Sequence, residues 1–431
     1  MMGWIARRRA ALISTALSAV CVLATVTPAW ASHGHPAHPA PTIKSSGRQA
    51  RHRGRAVPER TRSSAGAKRG KAGKHAAVKH PASATHLVRG KHGRMVRVAV
   101  RPHVYAERFY ASSFAENLTT GDVIAGEDPV VRAAAIEALG NMNGTAMAID
   151  PATGRILTIV NQKLALSGGA EPCSTIKLTV ALAALQEGII TRSTPVALGG
   201  SYHLTLTEAL AHSNNLYFET LGRALGFERV KHYANALGLG ELAGYNIAGE
   251  QLGIYPDQEL PAAMGGVGRM CSFGESVSMT PLQLGAIVTA IANGGTLYYL
   301  QHPTTTDEVA TFQSKVKRTL DIAKLIPEMQ DGMQAAVQYG TAKRLRANFT
   351  EFPVMGKTGT CSNNGTRFGW FGSFAETPKG RIVTVIFLEG GRPTFGPKAA
   401  ELTGHFYRAL FDKKYFDVKP ATPEAIAVGA Q

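Results

Sequence analysis

Three short motifs in a fixed order limit what this 431-residue chain can fold into more than any other feature. Ser174-Thr175-Ile176-Lys177 places a hydroxyl and an amine three residues apart, which on a helix is one face. Ser213-Asn214-Asn215 adds a second hydroxyl and an amide. Lys357-Thr358-Gly359-Thr360 adds a second cation, two hydroxyls and a glycine past which backbone can approach a ligand. Any one of these arises by chance in a long chain. The three in order, each in a suitable local pattern, point to serine acyl-enzyme chemistry.

The residue types suit that chemistry. A serine hydroxyl is a weak nucleophile until a base takes its proton. Lys177, one turn from Ser174, serves if burial and a second cation, for which Lys357 is the candidate, push its pKa down. Read alone, Lys177 is an ordinary exposed helix lysine. Ser174 near a helix start has backbone N–H groups and the positive dipole end where an oxyanion develops. Ser213 offers a proton relay to a leaving amine and Asn215 an amide for a substrate carbonyl. The plainer reading of Ser213 is as cap of the helix running through Leu216, Tyr217 and Phe218. On an edge strand, Lys357, Thr358 and Thr360 hold a carboxylate while the strand backbone pairs with an extended peptide.

The pattern around the motifs indicates an α+β fold. Residues 128–140, with apolar Val131, Ala134, Ile136 and Leu139, read as a lead-in helix. Strands over 144–150 and 155–160 flank the turn Asp150-Pro151-Ala152-Thr153-Gly154. Helical periodicity dominates from Ser174 to about Ala236. A helix over 281–293 has Thr280 as N-cap, Pro281 at its first position and Gly294-Gly295 at its end. Strands return near 352–360, 367–375 and 381–389, before a helix near 398–412. Strands at both ends with helices between predict one antiparallel sheet flanked by helices, with a helical lobe and the Lys357 motif beside the Ser174 helix.

The charge is unevenly spread. Net charge is +17, yet residues 33–103 alone hold 17 Lys and Arg against the single acid Glu59. Residues 104–431 hold 27 basic and 29 acidic residues, so the globular part is close to neutral. Arg7-Arg8-Arg9, an apolar run from about Ala10 to Val26 and Ala29-Trp30-Ala31 read as an export signal, with an uncleaved membrane anchor as the alternative. The expected organisation is a signal peptide or anchor at 1–31 and a basic, disordered linker at 32–103. A short lead-in segment follows at 104–143, then a globular domain at 144–416 and a tail at 417–431. The linker reads as a solvated tether; the sharper reading is attachment to an anionic envelope surface, and export argues against nucleic acid. Its nine histidines lack fixed ligand spacing, so neither a metal site nor a cofactor is expected. Beyond the signal, Cys173, Cys271 and Cys361 show no zinc-type spacing. A Cys271–Cys361 disulfide is permitted outside the cytoplasm, with buried free thiols the preferred reading.

Over roughly 140–412 the chain resembles the transpeptidase domain of penicillin-binding proteins. "AIDPATGRILTIVN" is similar to the family's first hairpin, "EPCSTIKLTVALAALQEGII" to its nucleophile helix and "LTLTEALAHSNNLYFETLGRALG" to its second-motif region. "SMTPLQLGAIVTAIANGGTLY", "GMQAAVQYGTAKRL" and "VMGKTGTCSNNGTRFGWFGSFAE" match later stretches. The resemblance implies an exported D,D-transpeptidase or carboxypeptidase acting on peptidoglycan stem peptides in the cell envelope, with β-lactams as covalent inhibitors. It implies Ser174 as nucleophile, Lys177 as general base, Ser213 as relay and Lys357 as electrostatic support. Asn215 then contacts the acyl side chain, Thr358, Gly359 and Thr360 line the carboxylate site, and the N–H groups of Ser174 and Thr360 form the oxyanion hole.

Departures accompany the match. No glycosyltransferase-type region is read ahead of the domain, and 104–143 is too short for a large pedestal. Cys173 and Cys361 stand where the family usually has small residues. A class D-like β-lactamase is the nearest enzyme alternative, although its second motif usually ends in Val where this chain has Asn215. A non-catalytic β-lactam sensor or wall-binding scaffold is the alternative of another class, and the intact motifs argue against it.

Overall fold

The computed structural model describes residues 85–89, 94–99 and 108–418. The 1–31 export segment, most of the 32–103 stretch and residues 419–431 lie outside the described residues. Two units are distinguished, residues 1–100 and 101–431.

In the first unit, Thr85–Arg89 pairs antiparallel with Met95–Ala99, Thr85 facing Ala99 and Arg89 facing Met95. This corrects the expectation of an irregular linker at these positions. Val88, Val96 and Val98 supply the β-branched residues that favour extended backbone, a signal outweighed in the sequence reading by the surrounding charge.

The second unit is built on one five-stranded antiparallel sheet. Its spatial order is Arg155–Val160, Gly144–Asp150, Gly380–Gly390, Thr366–Thr377 and Val354–Asn363. The hairpin at 144–160 thus joins the last three strands across the whole intervening helical region, as the pattern at the two chain ends predicts. Both faces are covered, so the strands read as almost continuous apolar runs. Alternate residues still divide: Met147, Ile149, Val383, Val385, Phe387, Trp370 and Phe374 enter one core. Ala146, Ala148, Ile382, Ile386, Leu388, Phe371 and Ala375 enter the other.

Helices Pro129–Leu139 and Gly396–Asp412 pack together over the second of these faces. Asp128 caps the former by accepting from the N–H groups of Val130 and Val131. Ile136, assigned to its apolar face in the sequence reading, is exposed, and the small Ala135 and Ala138 face inward instead. Close approach of two helices favours short side chains there.

Helix Pro281–Asn293 covers the other face and is buried along nearly its full length. Its start is a reciprocal capping box: Thr280 accepts from Gln283 N–H, and the Gln283 side chain accepts from Thr280 N–H. Gly294 ends it in the left-handed conformation. Beyond it lies the helical lobe, which includes Lys177–Gln186, Leu206–Ala211, Asn215–Leu225, Phe227–Ala236 and Gly266–Phe273. Among the described residues no helix is long and apolar enough to cross a membrane.

Candidate active site

All three motifs meet at the junction of sheet and lobe. Cys173–Ile176 forms a tight 3-10 turn that runs into helix Lys177–Gln186, so Ser174 and Lys177 share a face, as their spacing predicts. Ser213 lies in the loop between helices Leu206–Ala211 and Asn215–Leu225. Lys357, Thr358, Gly359 and Thr360 lie on the edge strand Val354–Asn363.

Lys177 Nζ stands 3.0 Å from Ser174 Oγ, 3.1 Å from Ser213 Oγ, 2.8 Å from the Ser213 carbonyl oxygen and 2.6 Å from Asn215 Oδ1. Lys357 Nζ donates to Ser213 Oγ at 2.9 Å and to the Thr358 carbonyl at 2.9 Å. One hydroxyl therefore sits between two amines. Both lysines are 0% exposed, and among the described residues neither is within ion-pair distance of a carboxylate. Burial pushes the Lys177 pKa well below its ordinary value, and the Lys357 charge pushes it further the same way. Burial pushes Lys357 down to about 7. The reading of Lys177 as an ordinary surface lysine is thereby excluded.

The capping role weighed for Ser213 belongs to its neighbour. Asn214 Oδ1 accepts from Tyr217 N–H at 2.9 Å, at the start of helix Asn215–Leu225. Ser213 itself sits at φ 55°, a left-handed conformation costly for a residue with a Cβ. That backbone shape turns the loop so that Ser213 presents both its carbonyl and its hydroxyl to Lys177.

Two hydroxyls complete the strand side. Thr360 Oγ1 accepts from Gly396 N–H at 2.8 Å, at the start of helix Gly396–Asp412, leaving the Thr360 O–H free as a donor. Thr358 Oγ1 donates to Thr341 Oγ1 at 2.7 Å. Gly359 has a packing reason besides any ligand: a Cβ there would stand 2.8 Å from the Pro172 carbonyl oxygen, just ahead of the Ser174 turn.

Several contributors were not singled out in the sequence. Thr341 also donates its N–H to the Ala211 carbonyl, tying the loop before Ser213 to the strand. The preceding Gly340 was the available signal, because a Cβ there would stand 2.1 Å from that carbonyl oxygen. Glu171 has its carboxyl pushed up to about 7, first by burial and then by Glu275, against the lowering effect of Arg269. With Asn363, Phe368 and Glu389 it lines an open cleft of about 500 Å³ at the far end of the Lys357 strand.

The cysteines require a correction. Cys173 is joined to Cys361 in a disulfide, with Cα atoms 5.5 Å apart, which overturns both the Cys271–Cys361 pair and three free thiols. Cys271 is the free one, buried against Gly222, and burial pushes its thiol up to about 12.

The family model described as the penicillin-binding protein transpeptidase domain matches residues 144–409. This chain belongs to that family. Among curated relatives of this transpeptidase domain, Stage V sporulation protein D of Bacillus subtilis is 27% identical over 58% of this chain and 43% of its own length. Peptidoglycan D,D-transpeptidase MrdA of Acinetobacter baumannii is 23% identical over 67% of this chain and 53% of its own length. The chain thus spans about half the length of these relatives. The transpeptidase fold is shared with the crystal structure of Pseudomonas aeruginosa PBP2 in complex with WCK 5153. The TM-score is 0.57 at 22% identity, over 69% of this chain and 79% of that one. It is shared too with the D,D-transpeptidase domain of a peptidoglycan glycosyltransferase from Eggerthella lenta, at TM-score 0.53, 18% identity and coverage of 77% and 95%.

Proposed function

We propose that this protein is a serine D,D-acyltransferase of the bacterial cell envelope that works on peptidoglycan stem peptides through an acyl-enzyme on Ser174. The observation that carries this reading is the pair of fully buried lysines sharing the Ser213 hydroxyl, one of them 3.0 Å from the Ser174 hydroxyl. A lysine neutral at working pH has a lone pair to receive the Ser174 proton, which is what a general base requires. Ser174 Oγ then attacks the carbonyl of the terminal D-Ala-D-Ala bond. Negative charge develops on the carbonyl oxygen and is met by the N–H groups of Ser174 and Thr360.

The proton taken by Lys177 has a short route out. Ser213 Oγ is within hydrogen-bond distance of Lys177 and Lys357, so it can receive a proton from one side while donating its own to the departing D-alanine amine. The free Thr360 O–H and the Thr358–Thr341 hydroxyl pair, with Lys357 behind them, suit the terminal carboxylate of the leaving residue. Asn215, whose oxygen is held by Lys177, keeps its amide N–H groups for the carbonyl of the acyl portion. An acceptor amine (cross-linking) or water (trimming) releases the acyl group. A β-lactam carries the same amide and carboxylate and acylates Ser174 in place of the peptide.

The N-terminal pattern supports work outside the cytoplasm, and the basic 32–103 stretch supports contact with anionic envelope material. Intact-protein mass spectrometry over time with a penicillin tests the central reading. A long-lived adduct that maps to Ser174 and is lost in Ser174→Ala is the expected result. Rapid drug hydrolysis with only a fleeting adduct overturns it in favour of a β-lactamase, and a folded protein giving neither overturns it in favour of a scaffold.

A further inference from the structure

The Cys173–Cys361 disulfide spans 188 residues of sequence and ends one residue from each oxyanion donor. Cys173 directly precedes Ser174, and Cys361 directly follows Thr360. The bridge thus links the two backbone segments whose N–H groups face the developing charge in the reaction proposed above.

The side-chain ties of the Lys357 strand run to other elements: Lys357 reaches Ser213, Thr358 reaches Thr341, and Thr360 Oγ1 accepts from Gly396 N–H, none of them on the Ser174 turn. Cys173 stands at φ 52°, a conformation a non-glycine residue keeps only where its surroundings impose it. Strand Val354–Asn363 lies at the sheet edge, so its ladder with Thr366–Thr377 holds one side only. Burial declines along it from Gly359 through Thr360 to the exposed Ser362 and Asn363. Trp370 Nε1 donates to the Glu171 carbonyl at 3.0 Å, but it anchors the neighbouring strand rather than the edge. Gly359 passes close to Pro172 as a packing contact without direction. The covalent link is what ties the edge itself to the nucleophile turn.

We propose that the Cys173–Cys361 disulfide is a positioning element of this active site, holding the Ser174 and Thr360 N–H groups at the separation an oxyanion needs. The inference rests on the acyl-transfer reading of the same site. Neither sulfur touches the reacting atoms. An oxyanion hole acts through donors already in place when charge appears, so a small widening weakens the transition state more than the initial complex. Opening the bridge therefore slows acylation and leaves first binding nearly unchanged.

A water-soluble phosphine opens it: the phosphine takes up oxygen from water and becomes its oxide, and the disulfide gains two electrons and two protons as two thiols. Cys361, partly exposed, is the sulfur within reach, whereas Cys173 is fully buried. The experiment compares the full-length chain oxidised, reduced and reoxidised, together with Cys361→Ser and the Cys173→Ala/Cys361→Ala double variant. Stopped-flow acylation by a fluorescent penicillin is normalised to titratable Ser174. Thiols counted under denaturing conditions should rise by two on reduction. The expected result is a fall of about tenfold or more in the acylation rate constant per active site, with initial binding changed less than about twofold. Reoxidation restores the rate, and the pH midpoint of acylation stays in place because neither lysine has been touched.

A purely structural bridge would lower thermal stability and the active fraction while leaving the rate per site alone, and that outcome overturns the proposal. So does a thiol count that does not rise on reduction. Should reduction unfold the chain, Cys361→Ser assayed below its melting transition decides by the same ratio. Absence of any Ser174 adduct, oxidised or reduced, overturns the acyl-transfer reading and this inference with it; equal adduct rates in both states overturn this inference alone.

Discussion

Arg132 and Lys177 are both buried basic side chains, and the protein treats them in opposite ways. Arg132, on the helix behind the sheet, donates to Asp122 at 2.8 Å and to Glu127 at 2.8 Å. Burial alone would lower its pKa, but the two carboxylates more than reverse that, and the net shift is upward. Glu127 is in turn held below its ordinary value: burial opposes this, and hydrogen bonds from His302, Thr158, the Ile159 N–H and Arg132 prevail. Lys177 and Lys357 receive hydroxyls, carbonyls and an amide but no carboxylate, and both are pushed down. Paired burial makes a clamp that stays charged, whereas unpaired burial makes an amine that gives up its proton more readily than an exposed lysine.

The difference can be broken most severely at Lys177. Replacing it with Met removes the base, so acylation should fall by roughly 10²–10⁴; the melting temperature should change little, because relief of a buried amine offsets the loss of its hydrogen bonds to Ser213 and Asn215. Parent-like acylation in that variant would remove Lys177 from the mechanism. Arg132→Met is the mirror experiment. It strands Asp122 and Glu127 without their cation and should cost about 3–5 kcal/mol of unfolding free energy by urea titration. The acylation rate per titrated site should not change; if it falls with stability, the two regions are coupled rather than separate.

The pH dependence separates the lysines further. The folded-state pKa of Lys357, about 7, lies below its ordinary 10.5, so between those values the unfolded chain binds a proton that the folded chain does not. Stability should therefore rise with pH across that window, by an amount on the order of a few kcal/mol in total. Lys357→Met removes the slope: its advantage over the parent is greatest at or below pH 7 and shrinks toward 10.5, as urea midpoints at several pH values would reveal. Acylation should also show a rising limb with pH as Lys177 becomes neutral, below its ordinary value, and a profile without any rising limb would contradict its role as base. The smallest effect concerns the cap. Asn214→Ala should cost about 1 kcal/mol of stability through the helix end. Its effect on acylation should be far below that of Ser213→Ala, and parity between the two would return the capping role to Ser213.

Much of this was legible because it is local. Thr280, Pro281 and Gly294 bound the 281–293 helix by cap chemistry that acts within one turn, and the structure has the same bounds. The hairpin strands Gly144–Asp150 and Arg155–Val160 follow from a turn and two apolar runs in the same way. The C-terminal strands run longer than their apolar patterns, to Asn363, Thr377 and Gly390, because ladder pairing continues where side chains no longer need burial. The Thr85–Ala99 pair was missed for the converse reason, as charge composition hid a short β-branched signal.

By itself the sequence determined that the Ser174 hydroxyl and the Lys177 amine would share one face, through backbone geometry alone. Tertiary structure decided everything that depends on which distant groups share a space. Lys357 reaches Ser213 only because the last strands pair with one another beside the lobe, and Thr341 reaches Thr358 only because Gly340 allows its loop to close in. Cys361 meets Cys173 rather than Cys271 for the same reason. The pKa values of both lysines are pushed down, that of Lys357 to about 7, through a burial that sequence spacing does not encode, because desolvation is a property of the packed whole.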